Sequence, residues 1–530
     1  MTPRARALTD VAREEFGHDA LLPGQEEAMR ALGDGQDVLL VSPTGSGKSL
    51  VYQVAGVLTG GCTLVVSPLL ALQQDQIDRI QRADGGRRAA RLSSAESDSE
   101  RQAVLSAAAA GELDFLFLAP EQLANEDVRR QVAAVRPGLV AVDEAHCVSA
   151  WGHDFRPDYF RLGELLADLG DPTVVAMTAT AAPPVREDIA DRLRMEEVST
   201  VVTGFARDNL ALEVRRVVDQ DDQVAAVLAA VPSTGSGIVY CRTRPAVEEY
   251  ARLLAAEGRR TAIYHAGLSH RRRKAAHEAF MADEVDVMVA TSAFGMGIDK
   301  PDVRFVVHAQ IPESPDTYYQ EVGRAGRDGE AAVGVLVYRP EDLALGRFFS
   351  GGVPKERDVA KVVAAAAELD EVEPAAVAEA TGFGRQKAGR ILNLLSLARE
   401  VRGDLSARAA VTAVQDLAEA HQKLERSRVD MMRAYAETAR CRSEFLVGYF
   451  GERVDACGTC DNCVAGVVPE PSADEGEYAV QSEVRHEEFG DGTVTDVEED
   501  RITVLFADVG YRTLALEPLR QSGVLSKVEH

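Results

Sequence analysis

The chain has 530 residues, which is too long for a single hydrophobic core. Its formal net charge is −27 at pH 7. Fifteen acidic and five basic residues lie between residue 464 and the C-terminus, which concentrates much of the negative charge in one tail. A negative net charge would by itself repel nucleic acid, but the binding of nucleic acid depends on the local electrostatic field of the protein. No apolar run approaches the ~18 residues of a membrane span, and the N-terminus lacks the apolar stretch of a signal peptide. We therefore expect a cytoplasmic protein with no membrane contact.

A phosphate-binding loop is predicted near the N-terminus. The apolar run Val38–Val41 precedes the sequence Ser-Pro-Thr-Gly-Ser-Gly-Lys-Ser at residues 42–49. A buried strand, a Gly-rich turn and a helix form the usual context of such a loop, whose backbone N–H groups hold the phosphates. We expect Lys48 to reach the β- and γ-phosphates of ATP and Ser49 to bind Mg²⁺. The predicted nucleotide-binding residues of the loop are Thr44, Gly45, Ser46, Gly47, Lys48 and Ser49.

Two further predicted strands carry polar residues at their ends. Gly138–Val142 leads into Asp143 and Glu144, of which the first is expected to bind Mg²⁺ and the second to polarise the attacking water. Residues 173–176 lead into Thr178 and Thr180, whose hydroxyls are predicted to relay the nucleotide state. Simple helix capping is the alternative for these two threonines.

The pattern restarts near residue 237 with new buried strands but without a second Gly-Lys-Ser. The sequence Gln-Glu-Val-Gly-Arg-Ala-Gly-Arg-Asp-Gly follows at residues 320–329. Arg324 and Arg327 are three residues apart, so we predict that they share one helical face and reach the γ-phosphate across a cleft. Together with Gln320 they form the predicted catalytic contribution of the second half. A surface salt-bridge pair is the alternative.

The first ~350 residues resemble superfamily 2 helicases, and within them the RecQ family. The most specific stretch is Asp143 to Tyr159, Asp-Glu-Ala-His-Cys-Val-Ser-Ala-Trp-Gly-His-Asp-Phe-Arg-Pro-Asp-Tyr. The resemblance implies that this loop senses single-stranded DNA through Trp151, Phe155 and Arg156. It also implies that the nucleotide contacts Gln25, as the adenine-reading glutamine, and Asp299. Two departures bear on adenine selectivity and on coupling to DNA, since RecQ proteins usually have Phe-Arg at 21–22 and Gln at 150, where this chain has Leu-Leu and Ala.

Four cysteines are clustered late in the chain. Cys441 is followed, after fifteen intervening residues, by Cys457-Gly-Thr-Cys460-Asp-Asn-Cys463. Four thiolates at this spacing predict a tetrahedral structural Zn²⁺ site with no open coordination position, with free thiols as the alternative. The surrounding sequence resembles the RecQ zinc-binding module.

Residues 351–421 predict a DNA-contacting helix-turn-helix of the winged-helix type. Glu373 to Thr381 and Arg385 to Ala398 have helical periodicity and are joined by Gly-Phe-Gly. The second predicted helix buries Ala388, Ile391, Leu392 and Leu395 and presents Arg385, Gln386, Gly389 and Asn393 on its other face. A helical spacer is the alternative. After an acidic linker, short alternating strands resemble the Tudor-like barrel of UvrD/PcrA-type helicases, which implies a protein partner such as RNA polymerase or a repair protein.

The sequence therefore predicts an α/β protein with two RecA-like parallel-sheet motor lobes, a helix-turn-helix insert, a four-Cys zinc module and a small C-terminal β-barrel. The predicted boundaries are 1–204 and 205–350 for the lobes, 351–421, 422–466, 467–482 for the linker and 483–530. By resemblance we expect a monomeric, nucleoid-associated ATP-dependent DNA helicase. It would move 3′→5′ on single-stranded DNA and unwind forked or duplex DNA in repair and recombination. The alternatives are a weakly unwinding translocase or repair scaffold, and an RNA helicase.

Overall fold

A computed structural model describes residues 3–149, 159, 161–295, 298, 300–344, 352–369, 372–403, 405–468, 478–479, 482–498, 500–506 and 509–528. The chain divides into two compact units. The first contains residues 1–340 and 434–471, and the second contains residues 341–433 and 472–530.

The first lobe is built on a seven-stranded parallel sheet in the order β3-β4-β2-β5-β6-β1-β7. Its inner strands are uninterrupted apolar runs, because helices cover both faces of a parallel sheet. The strands are β1 Val38–Val41, β2 Thr63–Val66, β3 Ala89–Leu92, β4 Phe115–Leu118, β5 Leu139–Val142, β6 Val174–Thr178 and β7 Ser199–Val202. The helices are α1 Pro3–Phe16, α2 Gln25–Gly33, α3 Lys48–Thr59, α4 Leu70–Arg82, α5 Asp98–Ala109, α6 Glu126–Val135, α7 Arg161–Asp168 and α8 Pro183–Arg192.

The second lobe repeats this plan with a six-stranded parallel sheet in the order β10-β11-β9-β12-β13-β8. The strands are β8 Leu210–Arg216, β9 Ser236–Tyr240, β10 Thr261–Tyr264, β11 Val287–Ala290, β12 Val303–His308 and β13 Ala332–Tyr338. The helices are α9 Gln220–Ala230, α10 Arg244–Ala256, α11 His270–Met281 and α12 Pro315–Val322. The prediction of two parallel-sheet lobes is confirmed.

Residues 352–433 contain four helices joined by short non-helical connections in the part that the structure describes. The helices are α13 Glu356–Glu368, α14 Pro374–Thr381, α15 Arg385–Arg402 and α16 Ala407–Glu437. The two helices of the predicted helix-turn-helix are present, and Ala388, Ile391, Leu392 and Leu395 are buried as expected. The described part of this segment contains no strand, so the predicted wing is not seen there.

Helix α16 crosses the predicted boundary at residues 421 and 422. Its 31 residues contain neither Gly nor Pro, so nothing in the sequence ends the helix at that point. The chain passes from the second unit to the first within this helix, after Arg433.

Two short helices complete the cysteine module, α17 Arg442–Tyr449 and α18 Asp461–Val464. The C-terminal segment forms a five-stranded antiparallel sheet in the order β17-β16-β15-β14-β18. Its elements are β14 Glu483–His486, β15 Gly490–Val497, β16 Arg501–Phe506, β17 Gly510–Ala515, α19 Leu516–Ser522 and β18 Leu525–Lys527. Among the described residues, no helix has the length and apolarity that a bilayer crossing requires.

Candidate functional site

The phosphate loop lies between β1 and α3, and Lys48 is the first residue of that helix. Gly45 and Gly47 have φ of 84° and 69°, in the left-handed region that favours glycine. The Lys48 ammonium donates hydrogen bonds to the carbonyl oxygens of Ser42 (2.8 Å) and Pro43 (3.0 Å), and burial lowers its pKa. A half-buried cation at the start of a helix, beside two left-handed glycines, suits a phosphate chain.

Gln25, the predicted adenine contact, lies against this loop. Its Nε2 donates to the carbonyl oxygens of Ser46 (3.1 Å) and Gly47 (3.0 Å), and its Oε1 accepts from the Leu22 N–H (2.8 Å). Together with Phe16 and His18, Leu22 and Gln25 line the same cleft as Lys48. The structure therefore brings the predicted base contact and the phosphate loop together.

Asp143 and Glu144 follow β5 directly and face Lys48. Burial and the neighbouring Glu144 raise the pKa of Asp143 to about 7, and the Lys48 charge opposes that rise. A half-buried carboxylate with so little compensating charge suits a divalent cation, which would stabilise its ionised form. Asp143 and Ser49 line the same cleft and fit Mg²⁺ as oxygen ligands.

Two residues that the sequence analysis missed support these groups. Gln76, on α4, donates from Nε2 to Oγ of Ser49 at 3.0 Å. Nδ1 of His146 lies 3.4 Å from the Glu144 carboxylate and 2.9 Å from Oγ1 of Thr178. Position 146 could have been found from the Asp-Glu-Ala-His sequence, whereas nothing local in the sequence marks Gln76.

Thr178 and Thr180 connect this lobe to the second lobe. Oγ1 of Thr178 donates to the carbonyl of Thr180 at 3.0 Å, and Nε2 of Gln320 donates to Oγ1 of Thr180 at 3.1 Å. A hydrogen-bonded path thus runs from His146 through both threonines to α12.

The structure corrects the prediction that Arg324 and Arg327 share a helical face. Helix α12 ends at Val322, and both arginines lie in the turns that follow it. Gly323 caps the helix and Gly326 has a left-handed φ of 62°, so the helix does not continue. Both side chains nevertheless line the nucleotide cleft.

Each arginine has a distinct position in the cleft. Arg324 is 5% exposed, and its Nε has no hydrogen-bond partner among the described residues. Arg327 donates to the Ile298 carbonyl at 2.6 Å, and its Cδ lies 3.2 Å from where a Cβ on Gly45 would stand. The cleft, of about 440 Å³, is lined by residues of both lobes, including Gln25, Lys48, Ser49, Asp143, Glu144, Gln320, Arg324 and Arg327.

The four clustered cysteines converge as predicted. Their sulfurs all lie within 4.8 Å of one another, and Sγ of Cys441 and Cys460 are 4.0 Å apart. Sulfurs bound to one tetrahedral Zn²⁺ at ~2.3 Å would be ~3.8 Å apart. Burial opposes ionisation of Cys457, but hydrogen bonds from Thr459 and the Cys460 backbone outweigh it and lower its pKa to about 7. The cluster fits a structural zinc ion that it encloses completely.

Comparison with known proteins places these sites in a family. Residues 22–189 match the DEAD/DEAH box helicase family, residues 221–329 the helicase conserved C-terminal domain and residues 402–464 the RecQ zinc-binding family. The probable ATP-dependent DNA helicase RecS of Bacillus subtilis is 37% identical over 385 residues, which cover 72% of this chain and 77% of that protein. The chain belongs to the RecQ family of helicases.

Other RecQ relatives are longer than the part this chain matches. ATP-dependent DNA helicase RecQ of Bacillus subtilis is 36% identical over 84% of the chain, which spans 65% of that protein. RecQ of Haemophilus influenzae is 40% identical over 63% of the chain, which spans 54% of that protein.

Solved structures agree at the level of the fold. Mycobacterium smegmatis helicase Lhr has a TM-score of 0.51 at 23% identity, covering 74% of this chain and 57% of its own. The DUF1998 helicase MrfA has a TM-score of 0.54 at 20% identity, covering 65% and 50%.

The RecQ zinc module is attached to both lobes. Asp461, beside ligand Cys460, accepts hydrogen bonds from the Val214 N–H of β8 (2.9 Å) and from Arg442 (2.9 Å). The Arg186 guanidinium, on α8 of the first lobe, donates to the Phe450 carbonyl at 2.9 Å, and the Phe205 and Phe450 rings stack at 4.5 Å. The module is therefore part of the same compact unit as the motor lobes.

Six further predicted site residues are not among the described residues of the cleft. Trp151, Phe155, Arg156 and Asp299 are outside the described residues, as is Ala150. Arg385 and Asn393 are exposed on α15, in the second unit. They are not among the residues that line the nucleotide cleft.

Proposed function

We propose that the chain is an ATP-dependent DNA helicase that converts ATP hydrolysis into 3′→5′ movement along single-stranded DNA and duplex unwinding. The observation that carries this proposal is the cleft in which Lys48, Asp143 and Glu144 of one lobe face Arg324 and Arg327 of the other. Opposed groups of this kind suit phosphoryl transfer, in which catalysis is mainly positioning and charge stabilisation.

Each residue has a distinct role in the proposed hydrolysis. Lys48 holds the β- and γ-phosphates, and Ser49 and Asp143 hold Mg²⁺, which neutralises developing phosphate charge. Glu144 orients the attacking water and accepts its proton. Arg324 and Arg327 stabilise the transferred phosphoryl group from across the cleft, a role worth ~10³–10⁵ in rate for arginine fingers.

Lobe movement follows from the same geometry. Thr180 and Gln320 join the lobes beside the nucleotide, so closure of the cleft repositions α12 against the first lobe. We propose that opening and closing moves a DNA strand that is sensed by Trp151, Phe155 and Arg156. The solved relatives Lhr and MrfA are described as bound to single-stranded DNA with AMP-PNP and to DNA respectively, which supports a DNA substrate.

Helix α15 is the proposed duplex contact of the second unit. It carries five basic residues and one acidic residue in a strongly acidic chain, and it exposes Arg385 and Asn393. A basic helix that follows a short Gly-containing turn suits phosphate and groove contacts.

A DNA-stimulated translocase with weak unwinding is the second candidate. It is favoured by the described residues of 352–433, which form helices and short connections and contain no β-hairpin that could separate strands. A repair scaffold would have no use for a cleft in which two arginines face a phosphate loop. An RNA helicase would need a different substrate.

We further propose that the C-terminal sheet recruits a protein partner, such as RNA polymerase or a repair protein. The resemblance to Tudor-like domains supports this role, and the acidic tail disfavours direct DNA contact. The working form is a monomer associated with the nucleoid.

ATP turnover of the purified chain tests the main proposal, measured alone and with single-stranded DNA, duplex DNA and RNA, beside unwinding of a forked duplex. Lys48→Ala is the control for contaminating ATPase. Stimulation by single-stranded DNA with strand separation is expected. Stimulation without separation would favour the translocase, stimulation by RNA alone would overturn the substrate class, and no turnover would favour the scaffold.

A further inference from the structure

Four buried aromatic rings, each packed against the next, connect the cysteine module to the second lobe. The Tyr435 and Tyr318 ring centroids are 5.0 Å apart, those of Tyr318 and His308 are 4.9 Å apart, and those of His308 and Tyr240 are 5.4 Å apart. All four side chains are buried, and the hydroxyl of Tyr435 donates to that of Tyr318 at 3.2 Å. We call these four residues the aromatic column.

The cysteine end of the column is fixed through Arg442. Its backbone N–H donates to Sγ of Cys460 at 3.4 Å, and its guanidinium donates to the Tyr435 carbonyl at 2.6 Å. The same guanidinium lies 5.8 Å from the centre of the Tyr435 ring. One buried side chain thus contacts both a predicted zinc ligand and the first ring of the column.

The other end of the column reaches the nucleotide cleft. The Tyr240 hydroxyl donates to the Phe294 carbonyl at 2.7 Å. Burial raises the pKa of Tyr240, and the Arg324 guanidinium opposes that rise. The Arg324 NH2 atom lies 3.2 Å from where a Cβ on Gly295 would stand.

Helix α12 is the element that the column holds. It is only eight residues long and carries both Tyr318, a member of the column, and Gln320, which contacts Thr180 of the first lobe. Nε2 of His308 lies 2.8 Å from the buried carboxylate of Glu321 on the same helix. A second contact to the module fixes the start of the helix, where the Tyr449 hydroxyl donates to Asp316 at 2.6 Å.

We propose that Tyr318 and Tyr435 are positioning residues through which the cysteine module sets the placement of Gln320 and Arg324 in the cleft. The inference rests on the proposed ATPase function. Close-packed rings have few alternative arrangements, so displacement at one end is passed along the column. Errors of about 1 Å in the placement of catalytic groups are costly in phosphoryl transfer.

Tyr435→Phe and Tyr318→Phe, alone and combined, test the proposal, because each retains the ring and removes one hydroxyl. We expect kcat for DNA-stimulated ATP hydrolysis to fall about fivefold. The KM for ATP should stay within about twofold, since Gln25, Lys48 and Ser49 belong to the first lobe. The double variant should lose no more than either single variant, because the two hydroxyls form one bond.

Tyr478→Phe is the matched control, since its buried hydroxyl donates to the Leu525 carbonyl in the C-terminal sheet. Bound zinc is measured in every variant. An unchanged kcat in the double variant with zinc retained overturns the proposal. If that variant loses zinc or does not fold, Tyr449→Phe removes the separate contact to Asp316, and the same kcat loss is expected.

Hydrogen exchange over residues 315–327 provides a readout that does not need turnover. We expect faster exchange there in the Tyr435→Phe and Tyr318→Phe variants and no change in Tyr478→Phe. Unchanged exchange overturns the proposal, even if the wild-type chain shows no ATPase and the proposed function itself fails.

Discussion

Gln320 donates a hydrogen bond from Nε2 to Oγ1 of Thr180 across 3.1 Å, joining the second motor lobe to the first. Thr180 is buried and is hydrogen-bonded in turn to Thr178. The bond therefore completes a hydrogen-bonded path from His146, through Thr178 and Thr180, to the helix that precedes the arginines.

Removing either partner of this bond should slow hydrolysis without weakening nucleotide binding. We expect Gln320→Ala and Thr180→Val each to lower kcat about fivefold, because a net hydrogen bond contributes about 1 kcal/mol. A double-mutant cycle on steady-state ATPase rates measures the coupling. Fully additive losses would show that the two side chains act independently.

Gln76 is expected to control the magnesium requirement. Its amide donates to Oγ of Ser49 and orients the hydroxyl, so Gln76→Ala should raise the half-saturating Mg²⁺ concentration about threefold to tenfold. The measurement is a Mg²⁺ titration of ATP turnover at fixed ATP. Gln74→Ala is the matched control, because Gln74 is on the same helix and donates to Asp78 in an exposed position. Equal shifts in both variants would count against the assignment.

Zinc binding should weaken on acidification. Zinc ligation requires thiolates, and burial together with a hydrogen bond to Cys460 raises the pKa of Cys463 to about 12. At pH 6 to 8 protons therefore compete with the metal, and the apparent zinc affinity should fall at least about tenfold per pH unit lowered. Competition with a metallochromic chelator at several pH values checks this. Cys463→Ser should lose the metal, whereas Cys62→Ser, at a buried thiol outside the cluster, should keep it.

Helix α15 should matter for duplex DNA more than for single strands. The pair Arg385→Ala and Asn393→Ala is expected to reduce unwinding and forked-duplex binding about tenfold, with single-strand-stimulated ATPase within about twofold. Point variants are preferable to deletion of residues 351–421, since that deletion would cut α16. Arg357→Ala, at an exposed side chain of α13, serves as the charge-matched control. Unchanged unwinding in the double variant would favour the helical-spacer alternative.

Gly510 should be needed for docking of the C-terminal sheet on α16. The Tyr511 N–H donates to Oγ of Ser427 at 3.0 Å, and a Cβ on Gly510 would stand 2.3 Å from that oxygen. Gly510 has φ of 73°, and Gly523 has a similar φ of 67° with no heavy atom near its Cβ position. Gly510→Ala should therefore destabilise by about 1–3 kcal/mol more than Gly523→Ala in chemical denaturation of the second unit. Equal losses of stability in the two variants would mean that the left-handed backbone conformation alone determines the cost of the substitution.

The parts of the site that the sequence predicted are those encoded locally. The phosphate loop and Asp143–Glu144 follow apolar strands directly, and parallel strands bring their ends to one edge of the sheet. Gln76 was missed because its partner Ser49 is 27 residues away and on another helix. The prediction that Arg324 and Arg327 share a helical face was wrong because the helix ends at Val322 with Gly323 as its cap, and the left-handed Gly326 follows.

The domain boundary was predicted between residues 421 and 422, where the helix-turn-helix insert is followed by the cysteine-rich segment. A helix without Gly or Pro has no reason to end there, since its apolar face continues to pack on both sides. The aromatic column was equally invisible, because its four members come from separate elements between residues 240 and 435. Tertiary packing brings them together, and no sequence spacing reports it.

The hydrogen bond between the Val214 N–H and Asp461 also disfavours pairing of this strand with another copy of the chain. Strand β8 is at one edge of the six-stranded sheet, where unpaired backbone groups invite pairing with a strand of another chain. Asp461 occupies one of those donors, and α17 and α18 lie beside the same strand. The cysteine module therefore also shields this edge of the sheet, so a change that detaches the module from β8 should increase self-association of the chain.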